Sequence, residues 1–236
     1  MINNIKLLKL EKILIAVFLL TCSVAAQQLK VVSVKGDVKY QYGTSENWIE
    51  LKGGEDLQTN GFVTTGKNSS VKIDKSGSKI TIDELSAVSI SSIKKMTTDE
   101  LLLALAMEDM INAPKTNGKG NSNSTATYGE KENAEKINNP ETNDFGVKRL
   151  NGAVQLADNG LKESSVIFAK ETYRKYPETK QVASYRIFFA DILYEKGLYE
   201  EALGEYMDIQ KLELNKDQID NIDSRINSIN KILLNN

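Results

Sequence analysis

The 236-residue chain has no histidine, one cysteine, three prolines and one tryptophan. Without histidine it lacks the side chain whose charge changes nearest neutral pH, and the commonest metal ligand. The single cysteine, Cys22, lies in an apolar N-terminal stretch, so the rest of the chain has no thiol for a disulfide, a nucleophile or a zinc thiolate. An excess of one charge is missing too: 30 basic residues stand against 32 acidic ones. Nucleic-acid binding needs clustered Lys and Arg to neutralise phosphates, and that footprint is absent. We therefore expect no catalytic residue, no metal, no cofactor and no nucleic-acid partner.

What is present begins with an export pattern over residues 1–26. Lys6, Lys9 and Lys12 precede an unbroken apolar run from Ile13 to Leu20, and Val24 and Ala26 fit the small-residue positions before a cleavage site ahead of Gln27. The run is shorter than the ~20 residues of a membrane span. Leu19-Leu20-Thr21-Cys22 loosely resembles a lipobox, which leaves lipidation at Cys22 as an alternative to simple cleavage. Removing this segment takes away three basic residues and one acidic residue, turning the net charge of -2 into -4. The expected location is periplasmic or secreted, with membrane contact only through a lipid on Cys22.

Residues 27–93 alternate with period two, the mark of strands with one buried face. Leu29, Val31 and Val34 lead to Gly36, Val38 and Tyr40 follow, and Val71, Ile73, Ile80, Ile82, Val88 and Ile90 continue beyond the turn at Asp74–Ser78. A small all-β sandwich or roll is expected. Val34, Gly36-Asp37-Val38, Trp48, Leu51, Gly54, Leu57, Val63-Thr64-Thr65-Gly66, Ser70–Ile73, Gly77 and Ser86 together resemble the FecR-type periplasmic domain. That resemblance implies an extracytoplasmic module used in signal sensing and protein contact. The best-known members of that family also carry a cytoplasmic regulatory segment, and only about a dozen residues precede the apolar run here.

Several patterns in this half imitate catalytic motifs. Gly61 to Asn68 is one hydroxyl short of a phosphate-binding loop and reads as strand–turn–strand instead. Ser76/Lys79, Ser91/Lys94 and Ser92/Lys95 fall in a Ser- and Lys-rich stretch without the further elements that acyl-transfer enzymes need. Glu55/Asp56 and Asp83/Glu84 are adjacent carboxylates that a strand would turn to opposite faces. A carbohydrate platform of Tyr40, Tyr42 and Trp48 is weighed against core packing.

Thr97-Thr98-Asp99-Glu100 is a capping box that opens a helix in residues 94–112, apolar over most of its circumference. It must be buried against the β domain or against a partner helix. Residues 113–141 are polar and almost free of apolar side chains, a composition that predicts a flexible linker. Period 3.6 governs residues 142–236. Four helices are expected there, broken at Asn159-Gly160, Tyr176-Pro177 and Gly197, and a fifth carries the seam Ile219, Ile222, Ile226, Ile229, Leu233. Tyr176-Pro177, Phe189-Ala190-Asp191 and Gly197–Ala202 with Tyr206 make this half resemble tetratricopeptide repeats. The resemblance implies a helical hairpin array that binds peptides or protein surfaces, with Tyr185, Phe188, Tyr199 and Tyr206 as candidate contacts. The last helix caps the array or, through residues 217–234, forms a homodimer.

The fold class expected is multidomain β plus α: a FecR-like β domain, a linking helix with a flexible tether, and a tetratricopeptide-like array with a capping helix. The function expected is an exported, non-catalytic scaffold with protein partners in the bacterial cell envelope. An envelope signal sensor and a carboxylate-dependent glycan hydrolase are the alternatives.

Overall fold

The alternation after Gln27 resolves into eight short strands, in a computed structural model that describes residues 29–112 and 140–235. The leader with Cys22 and the polar stretch 113–139 lie outside the described residues. The strands are β1 (Leu29–Lys35), β2 (Val38–Gln41), β3 (Trp48–Glu50), β4 (Asp56–Leu57), β5 (Phe62–Thr65), β6 (Ser70–Lys75), β7 (Ser78–Ile82) and β8 (Ala87–Ser89). They form two antiparallel four-stranded sheets, ordered β4-β1-β6-β7 and β3-β2-β5-β8. Leu29, Val31, Val71, Ile73, Ile80 and Ile82 point inward from the first sheet, and Val38, Tyr40, Val63 and Val88 from the second.

Alternation fails between Val31 and Val34, and the structure shows the reason. Val31 pairs with Ile73 and Ser33 with Lys72, so Val32 is the extra residue of a bulge and faces solvent. A second break lies at the end of the domain. The strand expected to run through Ile90 stops at Ser89 and winds into a 3-10 turn, Ile90–Ser92. That turn lets Ile90 and Ile93, three residues apart, both point into the core.

Six α-helices follow among the described residues: α1 (Thr98–Asn112), α2 (Pro140–Asp158), α3 (Lys162–Lys175), α4 (Ala183–Glu195), α5 (Tyr199–Ile209) and α6 (Lys216–Leu234). The capping box of α1 is formed: Glu100 accepts from the Thr97 amide at 2.7 Å, and the Glu100 amide donates to Thr97 Oγ1 at 3.2 Å. Helices α2 and α4 close alike. Gly160 and Gly197 take left-handed φ, and Leu161 and Leu198 donate back to Leu156 and Leu193. Successive helices α2/α3 and α4/α5 pack as pairs, and Ile222 and Ile229 of α6 are buried at the end of the array. Two sheets joined to a helical array make the chain mixed β plus α.

The sheets and helices share one core, and α2 is the element that joins them. Strands β7 and β8 are the outer strands of their sheets, and α2 lies against both. The Asn159 amide acts on β7 as a neighbouring strand would: Oδ1 accepts from the Thr81 amide at 2.9 Å, and Nδ2 donates to the Thr81 carbonyl at 2.7 Å. Asn151 donates to the Leu85 carbonyl at 2.7 Å. At Gly152 the helix is so near β8 that a Cβ would lie 2.2 Å from the Ala87 carbonyl oxygen. Only glycine admits that approach.

Arg149, one turn before Gly152, is buried between the two regions. Its guanidinium carbon lies 4.8 Å from the ring centre of Phe62 in β5 and 4.5 Å from that of Phe168 in α3. Nε donates to Thr172 Oγ1 at 3.2 Å, and Glu171 stands 3.5 Å away. Burial lowers the pKa of this guanidinium, while Glu171 acts to keep the charge in place.

Candidate functional site

Helix α1 begins soon after the β region and packs on α3 through Leu101 and Leu105, both buried. Glu108 is held by Arg174 of α3 at 3.2 Å. With 3.6 residues per turn, these contacts fix one side of the helix inward. The opposite side is then obliged to face out, and it is apolar. Leu103 is 65% exposed, Met107 57%, Met110 78% and Ile111 60%, with Leu102 beside them. Scattered exposed apolar residues are normal, but five along one helix form a patch of the kind that marks an interaction surface.

Beside this stripe lies a cleft of about 400 Å³, bounded by α1, α3, α4 and α5. Leu105 and Leu193 supply apolar wall, and Asp109, Glu201, Glu205 and Asp208 supply charge against a single lining cation, Lys170. Lys170 is already taken, since it bonds Glu205 directly. Arg186 reaches the other Glu205 oxygen at 3.2 Å. Burial alone would raise the Glu205 carboxyl, yet Lys170 and Arg186 hold it below the ordinary carboxylate range. Asp208 is likewise held low, chiefly by its 2.6 Å bond from Lys211. Asp109 and Glu201 make no ion pair among the described residues. Gly204 opens onto the same cleft, and a Cβ placed there would meet nothing within 4 Å.

The aromatic residues singled out on α4 and α5 are placed differently. Tyr206 is fully buried and donates to Asp191 at 2.7 Å, which also receives Arg225 at 2.9 Å; its ring belongs to the packing between helices. Tyr185 is half-buried, with its hydroxyl bonded to Asn151. Phe188 stands edge-on to Phe189 and Tyr199 edge-on to Tyr194, both half-buried. The four do not gather into one patch with the α1 stripe. Cys22 lies outside the described residues. Ile219 and Leu233 of the α6 seam are partly exposed, while its middle is packed on the array.

The motifs set aside as imitations are also placed. Gly61 to Asn68 runs from β5 through a turn to β6, so no helix follows the loop to receive a phosphate. Tyr40 is buried and bonded to the Gln58 backbone, and Trp48 packs edge-on to Phe145 of α2 at 6.0 Å, so Tyr40, Tyr42 and Trp48 form no open platform. Among the described residues no three His, Cys, Asp or Glu side chains gather as metal ligands, and no helix is long and apolar enough to cross a membrane. The glycines at 152 and 204 were missed by sequence reasoning. A glycine inside an otherwise regular helix was the available signal, because it costs ~1 kcal/mol against alanine and needs a reason.

Compared with known proteins, the chain matches no family model, no curated protein and no solved structure.

Proposed function

We propose that this chain is an exported, non-catalytic binding protein of the bacterial cell envelope, which holds a partner protein on a rigid body of sheets and helices. The observation that carries the reading is the outward stripe Leu103, Met107, Met110 and Ile111. Keeping these side chains in water forfeits roughly 1.5–3 kcal/mol for each that could be buried, a cost that a partner surface recovers. The shared core beneath, which joins sheets and helices, supports a platform on which that stripe is displayed. In this reading the β region is FecR-like, the helical pairs are tetratricopeptide-like, and residues 1–26 direct export.

A photo-crosslinking side chain placed at Met107 in the living cell tests the reading, with the same label at exposed Lys39 of β2 as control. The expected result is a discrete adduct with an envelope protein from position 107 and none from position 39. Recovery of the chain inside the cell with residues 1–26 intact, or glycan hydrolysis abolished by one carboxylate substitution, would overturn it.

A further inference from the structure

We infer that the outer face of α1, together with the acidic cleft between α1 and α5, receives a basic amphipathic helix of the partner protein, with apolar residues on the stripe and lysine or arginine in the cleft. The inference rests on the binding role proposed above and adds the chemistry of what binds. Three separate features converge on it.

The first is charge. Helix α1 carries Asp99, Glu100, Glu108 and Asp109 and no basic residue, and α5 carries Glu200, Glu201, Glu205 and Asp208 and none either. Among the described residues the cations beside the cleft are committed, Arg174 to Glu108 and Lys170 and Arg186 to Glu205, while exposed Lys94 and Lys95 precede the far end of α1. Asp109 and Glu201 therefore present negative charge next to the apolar stripe that no ion pair among the described residues compensates. A ligand with basic flanks meets complementary charge there.

The same charges argue against the other occupants. A second copy docked α1 on α1 would bring two all-acidic helices together, and like charges in contact oppose pairing. An anionic lipid surface selects apolar helices flanked by Lys and Arg, whereas this stripe is flanked by Asp and Glu.

The second feature is space. Gly204 weakens α5, yet no neighbouring group among the described residues comes within 4 Å of an added Cβ, so none of them uses the missing side chain for packing. It leaves the cleft open where an incoming side chain would enter. The third is the composition of the stripe itself. Met107 and Met110 are flexible and polarisable, suited to repacking around a ligand helix.

The probe is a synthetic 18-residue Leu/Lys amphipathic helix, titrated into the full chain, against a Leu/Glu peptide with the same apolar positions. The Leu/Lys peptide is expected to bind at least tenfold more tightly, with an affinity that falls as salt rises. Leu103→Ser with Met110→Ser, and separately Gly204→Leu, should each weaken it tenfold or more with the circular dichroism of the chain unchanged. Gly204→Leu matters most, since it fills the cleft without removing a charge or a core contact. Equal binding of both peptides, binding indifferent to these variants, or a dimer of the chain that Leu103→Ser with Met110→Ser dissociates would each overturn the inference. If the peptides fail while the Met107 crosslink persists, the basic-helix assignment falls and the binding role stands; loss of the crosslink as well removes both.

Discussion

Two helices of this molecule, α1 and α2, each carry apolar residues that could be buried, and the fold treats those residues in opposite ways. Helix α2 is spent on the inside: it lies along β7 and β8, lends Asn159 to a strand, and presses Gly152 onto the Ala87 carbonyl. Helix α1 touches the body with one side only, leaving Leu103, Met107 and Met110 in water. Satisfied backbone, a stacked arginine and a close approach define the first. Exposed apolar surface, beside two carboxylates that make no ion pair among the described residues, defines the second. The contrast separates what holds the protein together from what is left over for another molecule.

The most damaging way to break the contrast is to push α2 off the sheets. Gly152→Val would place a branched side chain against the Ala87 carbonyl and Val88, both already within 3 Å of the first added carbon. The helix must move, and Asn159 and Asn151 lose their hold with it. Overpacking of this kind costs about 3 kcal/mol or more, enough to lower the urea midpoint sharply. If Gly152→Val instead left the midpoint within experimental scatter, the α2–β8 contact would not be what joins the two regions.

Arg149 sharpens the same side. Arg149→Ala removes the stack between Phe62 and Phe168 and leaves a void, a loss of about 3 kcal/mol. Arg149→Met keeps the volume and drops the charge. Its cost should lie within ~1 kcal/mol, because replacing a buried ionic group by a fitting apolar one is often nearly neutral. Equal losses for the two variants in urea denaturation would mean that the charge, rather than the packing, carries the interface.

Much of this architecture was legible in the chain. Alternation at Val38/Tyr40, Val71/Ile73 and Ile80/Ile82 marks strands whose inner faces are indeed buried, and Thr97 with Glu100 marks the start of α1. Local chemistry decides those features within a few residues. The short strands β3 and β4 were not legible, since Trp48–Glu50 and Asp56–Leu57 are held by pairing with β2 and β1 rather than by a period of their own. Nor was the union of sheets and helices. Arg149 reads as an ordinary surface charge of a helix, and only the approach of Phe62 from a distant strand makes it a buried one. The candidate surface divides similarly: the sequence shows α1 apolar nearly all round, but which half remains outside depends on the α3 contact. The cleft, assembled from four helices, has no local signature.

Acid provides a milder test at the boundary between the two sides. Glu205 is held below the carboxylate range in the folded chain, so on acidification the unfolded chain takes up this proton first, near pH 4.3. The stability that Glu205 contributes is complete above that pH and is lost as pH falls through the depressed folded value. Glu205→Gln should thus be about 2 kcal/mol less stable than the parent at neutral pH. The gap should narrow as the pH falls below that of the unfolded carboxyl. A gap of constant size across that window would show that the Lys170 and Arg186 pairings are not what the carboxylate contributes.

The smallest effect belongs to the surface on which the functional reading stands. Leu103→Ser with Met110→Ser removes large apolar side chains, a change that inside α2 would be severe. On the outer face of α1 both side chains lie largely in solvent, so little packing is lost and folding stability should shift by no more than about 0.5 kcal/mol. Helix propensity works slightly against serine, which sets the sign as a small loss. Apolar surface also leaves the water, so the doubly substituted chain should elute more weakly from a hydrophobic column while its urea midpoint hardly moves. A drop of several kcal/mol would instead mean that part of this same chain covers the stripe, and that the face is not free for a partner at all.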